Sequence, residues 1–520
     1  MPTLPILTWI GNAAAVLTGC FGAITQQTQQ AGCSRQVAYQ HADKVQQAVK
    51  DAQLPGPSRE ELLHINQRLT EENRQLWQAL EDGIDFPRDR QQRFAVTAAA
   101  CGVRLSTTLV LLGLLLGARA PSRATLGRWV ADAGRRAGGL LARLDGCCRT
   151  LVTALCLDEI FVQRRPILVG VEPHSRACVL AQQAPDCTGE TWAKTLAPWD
   201  RLERAVVDGG LGLRKGLAAT ERQRRSAGAA RPLEVIPDLF HLCQDAQRAL
   251  RKTWRAAEAV WRSYDQKQAA YARLRKQLGW RHKKFRAASM GAALAWKKAC
   301  RAYEQAQAQE EAWRRVRGAF EVFRPDGTLN DRAWAASEVA AALPGLVGKA
   351  WAKVRRFLKK RRAFNFLDAL HRDLAAAEPQ PELRAALARL WRLRQRRHDP
   401  KSGSAAALLA VRLAEVVCVK LSADWAVSYE RVAGVLSRVL RASSVVECMN
   451  SVWRMHQSRH RQLTQGLLDL KRLWWNVRPF VGGKRKKKCP YKLLGLDLPT
   501  YDLWELLQSD PDAVAQQVST

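Results

Sequence analysis

Apolar positions recur at helical spacing along the first part of the chain. Ala38, Ala42, Val45 and Val49 lie four, three and four residues apart and predict the buried face of a helix. Ser34, after Gly32-Cys33, is placed to N-cap it. Leu126, Val130, Ala133 and Ala137 predict a second such helix after Pro121-Ser122. Each follows a turn, so the pattern reads as two helix-turn-helix units, over 1–54 and 84–146. Between them Pro55-Gly56-Pro57 marks a linker, and Ser58 and Glu61 fit a capping box. Leu62, Leu69 and Leu76 repeat every seven residues, with Ile65 on the same seam and Glu72 interrupting it. Residues 55–83 are therefore a short coiled coil, and with it a dimer contact, or one arm of an intramolecular helical hairpin. The longest apolar run, Leu109–Leu116, predicts a buried helix and falls short of the ~18–20 residues of a membrane span.

From Thr150 the pattern changes to short continuous apolar runs. Leu151–Asp158, Ile167–Val171, Ala177–Leu180, Ala205–Asp208 and Leu233–Ile236 predict five buried strands, with a short helix over Thr191–Trp199. Three strands, a helix and two strands suit an α+β fold with a mixed sheet. Residues 242–440 read as almost entirely helical, with Trp254, Trp261, Trp280, Trp296 and Trp313 packing between long helices. Two basic clusters stand there, Lys359-Lys360-Arg361-Arg362 and Arg394-Gln395-Arg396-Arg397. Such runs are solvated faces or track a phosphate backbone. Asp399-Pro400 and Ser402-Gly403-Ser404 mark a loop. A helix then carries Glu447, Lys484–Lys488 form a basic loop, and the last twenty residues turn acidic and read as a tail.

Composition narrows the class of protein. Hydrophobic residues make up 47% of the 520, enough to exclude wholesale disorder and to fill about three or four domains. Lys and Arg number 83 against 48 Asp and Glu, a net charge of +35. A chain this basic points to a polyanion, with nucleic acid first; a basic, Arg-rich proteome is the plain alternative. The 13 cysteines form no C-x-x-C pair, which argues against a zinc ribbon and a disulfide scaffold and for reduced thiols in a cytoplasm. Leu17-Thr18-Gly19-Cys20 imitates a lipoprotein cleavage box, but the first basic residue is Arg35 and the positive n-region is missing. In a chain of this charge the outer faces of the two candidate recognition helices gain interest. Arg35, Gln36 and Tyr39 on the first, and Arg123 and Arg128 on the second, have side chains able to reach bases or phosphates.

Asp158 and Asp208 each close an apolar run. Two carboxylates brought together at strand ends raise each other's pKa unless a cation sits between them. Mg²⁺ suits such a site because it prefers oxygen ligands and keeps places for water and phosphate. A third carboxylate would complete a two-metal site for in-line phosphoryl displacement. Glu159 is a rival to Asp158, and strand alternation puts the two on opposite faces.

Asp208-Gly209-Gly210, then Pro237-Asp238-Leu239-Phe240-His241, then Glu447-Cys448-Met449-Asn450-Ser451-Val452-Trp453-Arg454, taken in that order, resemble the DDE transposases of bacterial insertion sequences, with a Mutator-like or hAT-like signature. The ending from Leu463-Thr464-Gln465-Gly466 to Trp475-Asn476-Val477-Arg478-Pro479-Phe480 is similar too. The resemblance implies a ribonuclease-H-like core over 147–241 and 441–482, split by a helical insertion over 242–440 and followed by a basic loop and acidic tail over 483–520. It implies that Asp158, Asp208 and Glu447 hold two Mg²⁺, with Mn²⁺ as a substitute, and it selects Asp158 over Glu159. Asp238 and His241 would support the site or orient the strand. Asn450 and Arg454, on the face of Glu447, would contact phosphate. The implied activity is cleavage at an element's ends and strand transfer into target DNA, by a homodimer or higher assembly in the bacterial cytoplasm. A non-catalytic regulator derived from such an enzyme is the alternative, and a basic helical scaffold a third.

Overall fold

The computed structural model describes residues 5–51, 58–81, 86–228, 231–278, 280–397, 405–459 and 462–519. The Pro55–Pro57 linker and the loop around Asp399–Ser404 lie outside them. Two compact units form: Met1–Phe86 with Leu115–Ala118, and Pro87–Leu114 with Arg119–Thr520.

The first unit holds α1 (Ile6–Leu17), α2 (Ala23–Gln30), α3 (Arg35–Asp51) and α4 (Arg59–Glu81). Ala38 and Ala42 are buried, but Val45 is half-buried and Val49 exposed. The predicted stripe therefore holds only in the first turns of α3, where α1 covers it through Trp9 stacked on His41. The capping box of α4 is complete: Glu61 N–H donates to Ser58 Oγ at 3.2 Å, and Ser58 N–H to Glu61 Oε2 at 2.7 Å.

The second unit opens with α5 (Arg88–Ala100), α6 (Leu105–Leu116) and α7 (Arg123–Leu151). The apolar run on α6 is not buried as predicted. It is apolar on every side and has one side covered, so Val110 and Leu114 are 61% and 80% exposed. Helix α7 is far longer than a recognition helix. Its inner stripe of Leu126, Val130, Ala133 and Ala137 continues through Leu140, Leu141, Leu144 and Cys148 into the main core.

Five strands follow: β1 (Ala154–Val162), β2 (Arg165–Val171), β3 (Cys178–Gln183), β4 (Arg204–Val207) and β5 (Glu234–Pro237). Their order in the sheet is β3-β2-β1-β4-β5. β1, β2 and β3 pair antiparallel, and β4 and β5 run parallel to β1. Helix α8 (Gly189–Leu196) leads into β4 and α9 (Leu211–Ser226) links β4 to β5. The fold is thus α+β with one mixed sheet.

Helices α10 (Leu239–Gln277), α11 (Lys283–Ala319), α12 (Arg332–Ala342), α13 (Ala352–Leu358), α14 (Asn365–Ala377), α15 (Pro381–Arg397), α16 (Ala405–Leu421) and α17 (Trp425–Ser437) fill the next stretch. α10 and α11 form a long hairpin. Trp261 meets Trp296 edge-on at 5.5 Å, and Trp254 meets Tyr303 at 5.2 Å. Trp280 departs from the predicted packing, being 69% exposed beneath Arg281. Among the described residues this region adds one isolated bridge, Phe323 to Leu329, and no strand. Helices α14 to α17 share a second core, with Leu370, Leu387, Cys418 and Val432 fully enclosed.

Helices α18 (Ser444–Arg459) and α19 (Gln465–Val477) return to the sheet, and α20 (Pro490–Leu494), α21 (Leu503–Gln508) and α22 (Pro511–Ser519) complete the unit. α19 covers the edge strand. Cys178 N–H donates to Asn476 Oδ1, and Asn476 Nδ2 and Arg472 Nε both donate to Cys178 C=O, each at 2.8 Å. Backbone groups that an edge would otherwise expose are satisfied in this way. α7 crosses α19 where Gly134 faces Gly466; a Cβ on Gly134 would lie 2.6 Å from the Gly466 carbonyl oxygen. The acidic end is not a free tail. Leu503, Leu506, Leu507 and Val514 are buried, and Asp512 pairs with Arg143 at 2.8 Å. Asp502 likewise pairs with Arg93 of α5 at 2.8 Å. No helix among the described residues is long and apolar enough to cross a membrane.

Candidate active site

The parallel strands set three aspartates in one row. Leu157 of β1 is in register with Val207 of β4, and Val207 with Pro237 of β5. The next residue on each is an aspartate: Asp158, Asp208 and Asp238. This row lies at the carboxyl ends of β4 and β5, the side on which parallel sheets leave a crevice.

Asp158 does not end its strand, as the sequence suggested. β1 runs on to Val162 because Ile160 and Val162 continue the buried face, and it turns through Gln163 and Arg164, both at positive φ. Asp158 pairs with Val169 of β2 and is the first residue beyond the reach of β4. It is 8% exposed and accepts a hydrogen bond from Asn450 Nδ2 at 2.6 Å. Burial first, then the Asp208 and Glu447 carboxylates, push its carboxyl up to about 6.

Asp208 follows β4 and accepts Gly210 N–H at 2.8 Å. A Cβ at Gly210 would lie 3.0 Å from Asp208 Oδ1 and 3.2 Å from Glu159 Oε1, so these two carboxylates flank the glycine backbone. Strand alternation therefore does not remove Glu159 from the site. Burial, then Asp208 and Asp158, push it up to about 7, and its Oε2 is buried with no hydrogen-bond partner. Of the two neighbours, only Asp158 also feels Glu447.

Asp238 caps α10, accepting from the N–H groups of Phe240 and His241. It also accepts Ser443 N–H at 2.7 Å and Ser443 Oγ–H at 2.6 Å, which ties the entrance of α18 to the end of β5. Burial alone would raise its carboxyl, but the His241 and Ser443 donors outweigh that and hold it below the usual range. His241 Nδ1 lies 2.5 Å from Asp238 Oδ2, and Nε2 lies 3.1 Å from Glu447 Oε1. These hydrogen bonds, Asp238 first, raise the imidazole to about 10, so both ring nitrogens donate at neutral pH. Glu447, in the first turn of α18, is held low by His241.

Asn450 is fully buried on Asp158 and does not face outward to meet phosphate. Arg454 is 59% exposed and lies 3.9 Å from Glu447. Arg123 and Arg128 are exposed on the first turns of α7, and Arg35, Gln36 and Tyr39 are exposed on α3 in the other unit. Arg35 donates to Thr25 Oγ1 at 2.6 Å.

Asp158, Glu159, Asp208 and Glu447 crowd here, and an orphaned buried oxygen, Glu159 Oε2, stands among them. A hard cation with oxygen ligands fits that donor set. Among the described residues no three His, Cys, Asp or Glu are drawn to metal-ligating distance, and the Glu447 carboxylate is hydrogen-bonded to His241. Reasoning from sequence missed Ser443 and gave Glu159 no part beyond rivalry with Asp158. Only the adjacency Asp158-Glu159 hinted at the second.

No protein-family model matches the chain, and no curated protein is significantly similar to it.

Proposed function

We propose that the protein is a DDE-type DNA transposase that cleaves DNA at the ends of a mobile element and joins them to target DNA. The row Asp158, Asp208 and Asp238, with Glu447 brought to it through His241, carries the reading. The sheet order, three antiparallel strands followed by two parallel ones, supports a ribonuclease-H-like core. In this reading residues 242–440 are an insertion between β5 and α18.

Asp158, Asp208 and Glu447 would hold two Mg²⁺, with Glu159 beside them. Bound there, the ions would supply a hydroxide nucleophile at neutral pH and stabilise the leaving oxygen. The chain's own residues do the rest. His241 fixes Glu447 against Asp238, Asn450 fixes the Asp158 carboxylate, and Arg454 offers a cation at the open side of α18. The +35 charge gathers DNA, and Arg123, Arg128, Arg35, Gln36 and Tyr39 would recognise the terminal inverted repeats.

A gel shift on terminal-repeat DNA, run beside a Mg²⁺-dependent nicking assay, tests the proposal. Asp208→Asn should abolish nicking and leave end binding intact. A variant that nicks as well as the parent removes the catalytic reading. A parent that binds the ends and never nicks is instead the regulator.

A further inference from the structure

A cavity of about 230 Å³ opens beside Asp208. Asp208, Asp238, His241 and Asp245 line it together with the apolar Val235, Pro237 and Phe357. Its lining also includes Arg214 from α9 with Lys353, Arg356, Lys360 and Arg362 from α13 and the turn after it. This includes part of the basic run Lys359–Arg362. Some arginines elsewhere in the helical region are neutralised, among them Arg315 by Glu338 at 2.6 Å, Arg372 by Glu234 at 2.9 Å and Arg394 by Glu415 at 2.9 Å. Among the described residues none of the five cavity cations has an acidic partner within 4.0 Å, although Asp208, Asp238 and Asp245 line the same cavity. Instead they crowd one another. Burial, then Arg362, Arg214 and Arg356, hold the Lys360 ammonium below its usual range. Burial, then Arg214, do the same to Arg362. Like charges gathered without counterions cost stability, so their placement indicates an anion as partner.

We propose that these cations form a subsite for the phosphates of a single unpaired nucleic-acid strand, next to the carboxylates. Three things select the strand. Five cations at one cavity offer partners to more than one phosphate, where a single compact anion would leave most of them unmatched. The apolar lining accepts a sugar or base face. A duplex, whose two grooves together span about 18 Å, is too broad to enter a cavity of this size. That the strand is the end of a mobile element rests on the proposed function; the subsite does not.

The test titrates a fluorescein-labelled single-stranded oligonucleotide into the full chain in EDTA, at several salt concentrations. Lys360→Gln with Arg362→Gln should weaken binding about ten-fold and flatten the log–log salt slope by about 1.4, since each single-strand phosphate contact contributes about 0.7. The charge-preserving pair Lys360→Arg with Arg362→Lys should bind as the parent does, which separates lost charge from lost fold. Lys297→Gln with Lys298→Gln, exposed on α11, should also leave binding unchanged. An unchanged slope in the first pair, an equal loss in the α11 pair, or displacement of the oligonucleotide by an equimolar nucleoside triphosphate would overturn the subsite. If the strand binds as expected and the parent never nicks, the subsite stands and the transposase reading falls.

Discussion

His241 holds Glu447: its Nε2 lies 3.1 Å from Glu447 Oε1, while Nδ1 lies 2.5 Å from Asp238 Oδ2. One imidazolium thereby joins the first turn of α10 to the first turn of α18 across the whole helical region. The two carboxylates keep the ring charged to about pH 10, against 6.5 for a free histidine. A folded-state pKa raised in this way contributes stability in full below about pH 6.5, and the contribution is lost as pH rises through about 10. His241→Gln should therefore lower the Tm most near about pH 6 and little above about pH 10. Thermal melts of both proteins across that range check it; a constant difference would mean that His241 does not act as an ion bridge.

Asp158 loses stability with rising pH in the same sense, but its raised pKa marks a charge that the site disfavours instead of one that it holds. Burial, with Asp208 and Glu447 nearby, raises its folded pKa from 3.8 to about 6. An acid shifted upward contributes stability below its unfolded pKa and loses it as pH rises through the folded value. At neutral pH its ionised form is disfavoured by its surroundings. Asp158→Asn keeps an acceptor for Asn450 and should stabilise the protein by about 2–3 kcal/mol near pH 8, from a shift of about two units at 1.36 kcal/mol each. Near pH 3 the difference should vanish. Denaturant unfolding at the two pH values measures it, and Mg²⁺ should stabilise the parent more than the variant.

The sheet was legible because its strands are short apolar runs, which periodicity and length detect. The turn at Gln163-Arg164 was not, since neither residue is a usual choice for positive φ; the strand looked finished at Asp158 for that reason. The aspartates were found as residues after apolar runs, whereas their common row depends on strand register, which the pattern does not encode. Ser443 carries no signal of its own; only the meeting of α10 and α18 gives it Asp238. The end of the chain was misread because its acids suggested solvent, while Leu503, Leu506, Leu507 and Val514 form the buried stripe between them.

Arg123 and Arg128 offer a contrast with the cavity cations. Both are exposed on the first turns of α7, before its stripe enters the core. If this end of α7 lies in a major groove, each can donate to guanine. Replacing either by Ala should cost about 1–3 kcal/mol on terminal-repeat duplex and narrow the preference over unrelated DNA. Replacing Lys360 and Arg362 should weaken single-strand binding without altering that preference. Competition gel shifts with specific and random duplex separate the effects. An equal loss on both DNAs for Arg128→Ala would make it a phosphate contact.

Helix α4 presents its leucine seam to solvent. Leu62, Ile65 and Leu69 are 53%, 41% and 47% exposed, and every described side chain from Ser58 to Gln75 is exposed. The alternative of an intramolecular hairpin has no packed arm along this stretch among the described residues. A seven-residue apolar repeat on an uncovered helix, interrupted at Glu72, suits a second copy of itself, with the pair Arg74–Glu71 beside it. Leu69→Lys would place an unpaired charge in that seam, which costs about 2–3 kcal/mol in the dimer and nothing in the exposed monomer. The dimer dissociation constant should rise about 30- to 150-fold, converting dimer to monomer at micromolar concentration. Light scattering on the size-exclusion peak reads this directly, with circular dichroism confirming that α4 and the rest of the chain keep their helix content. A parent that is monomeric at the same concentration, or a variant that stays dimeric, would remove α4 as the contact between copies.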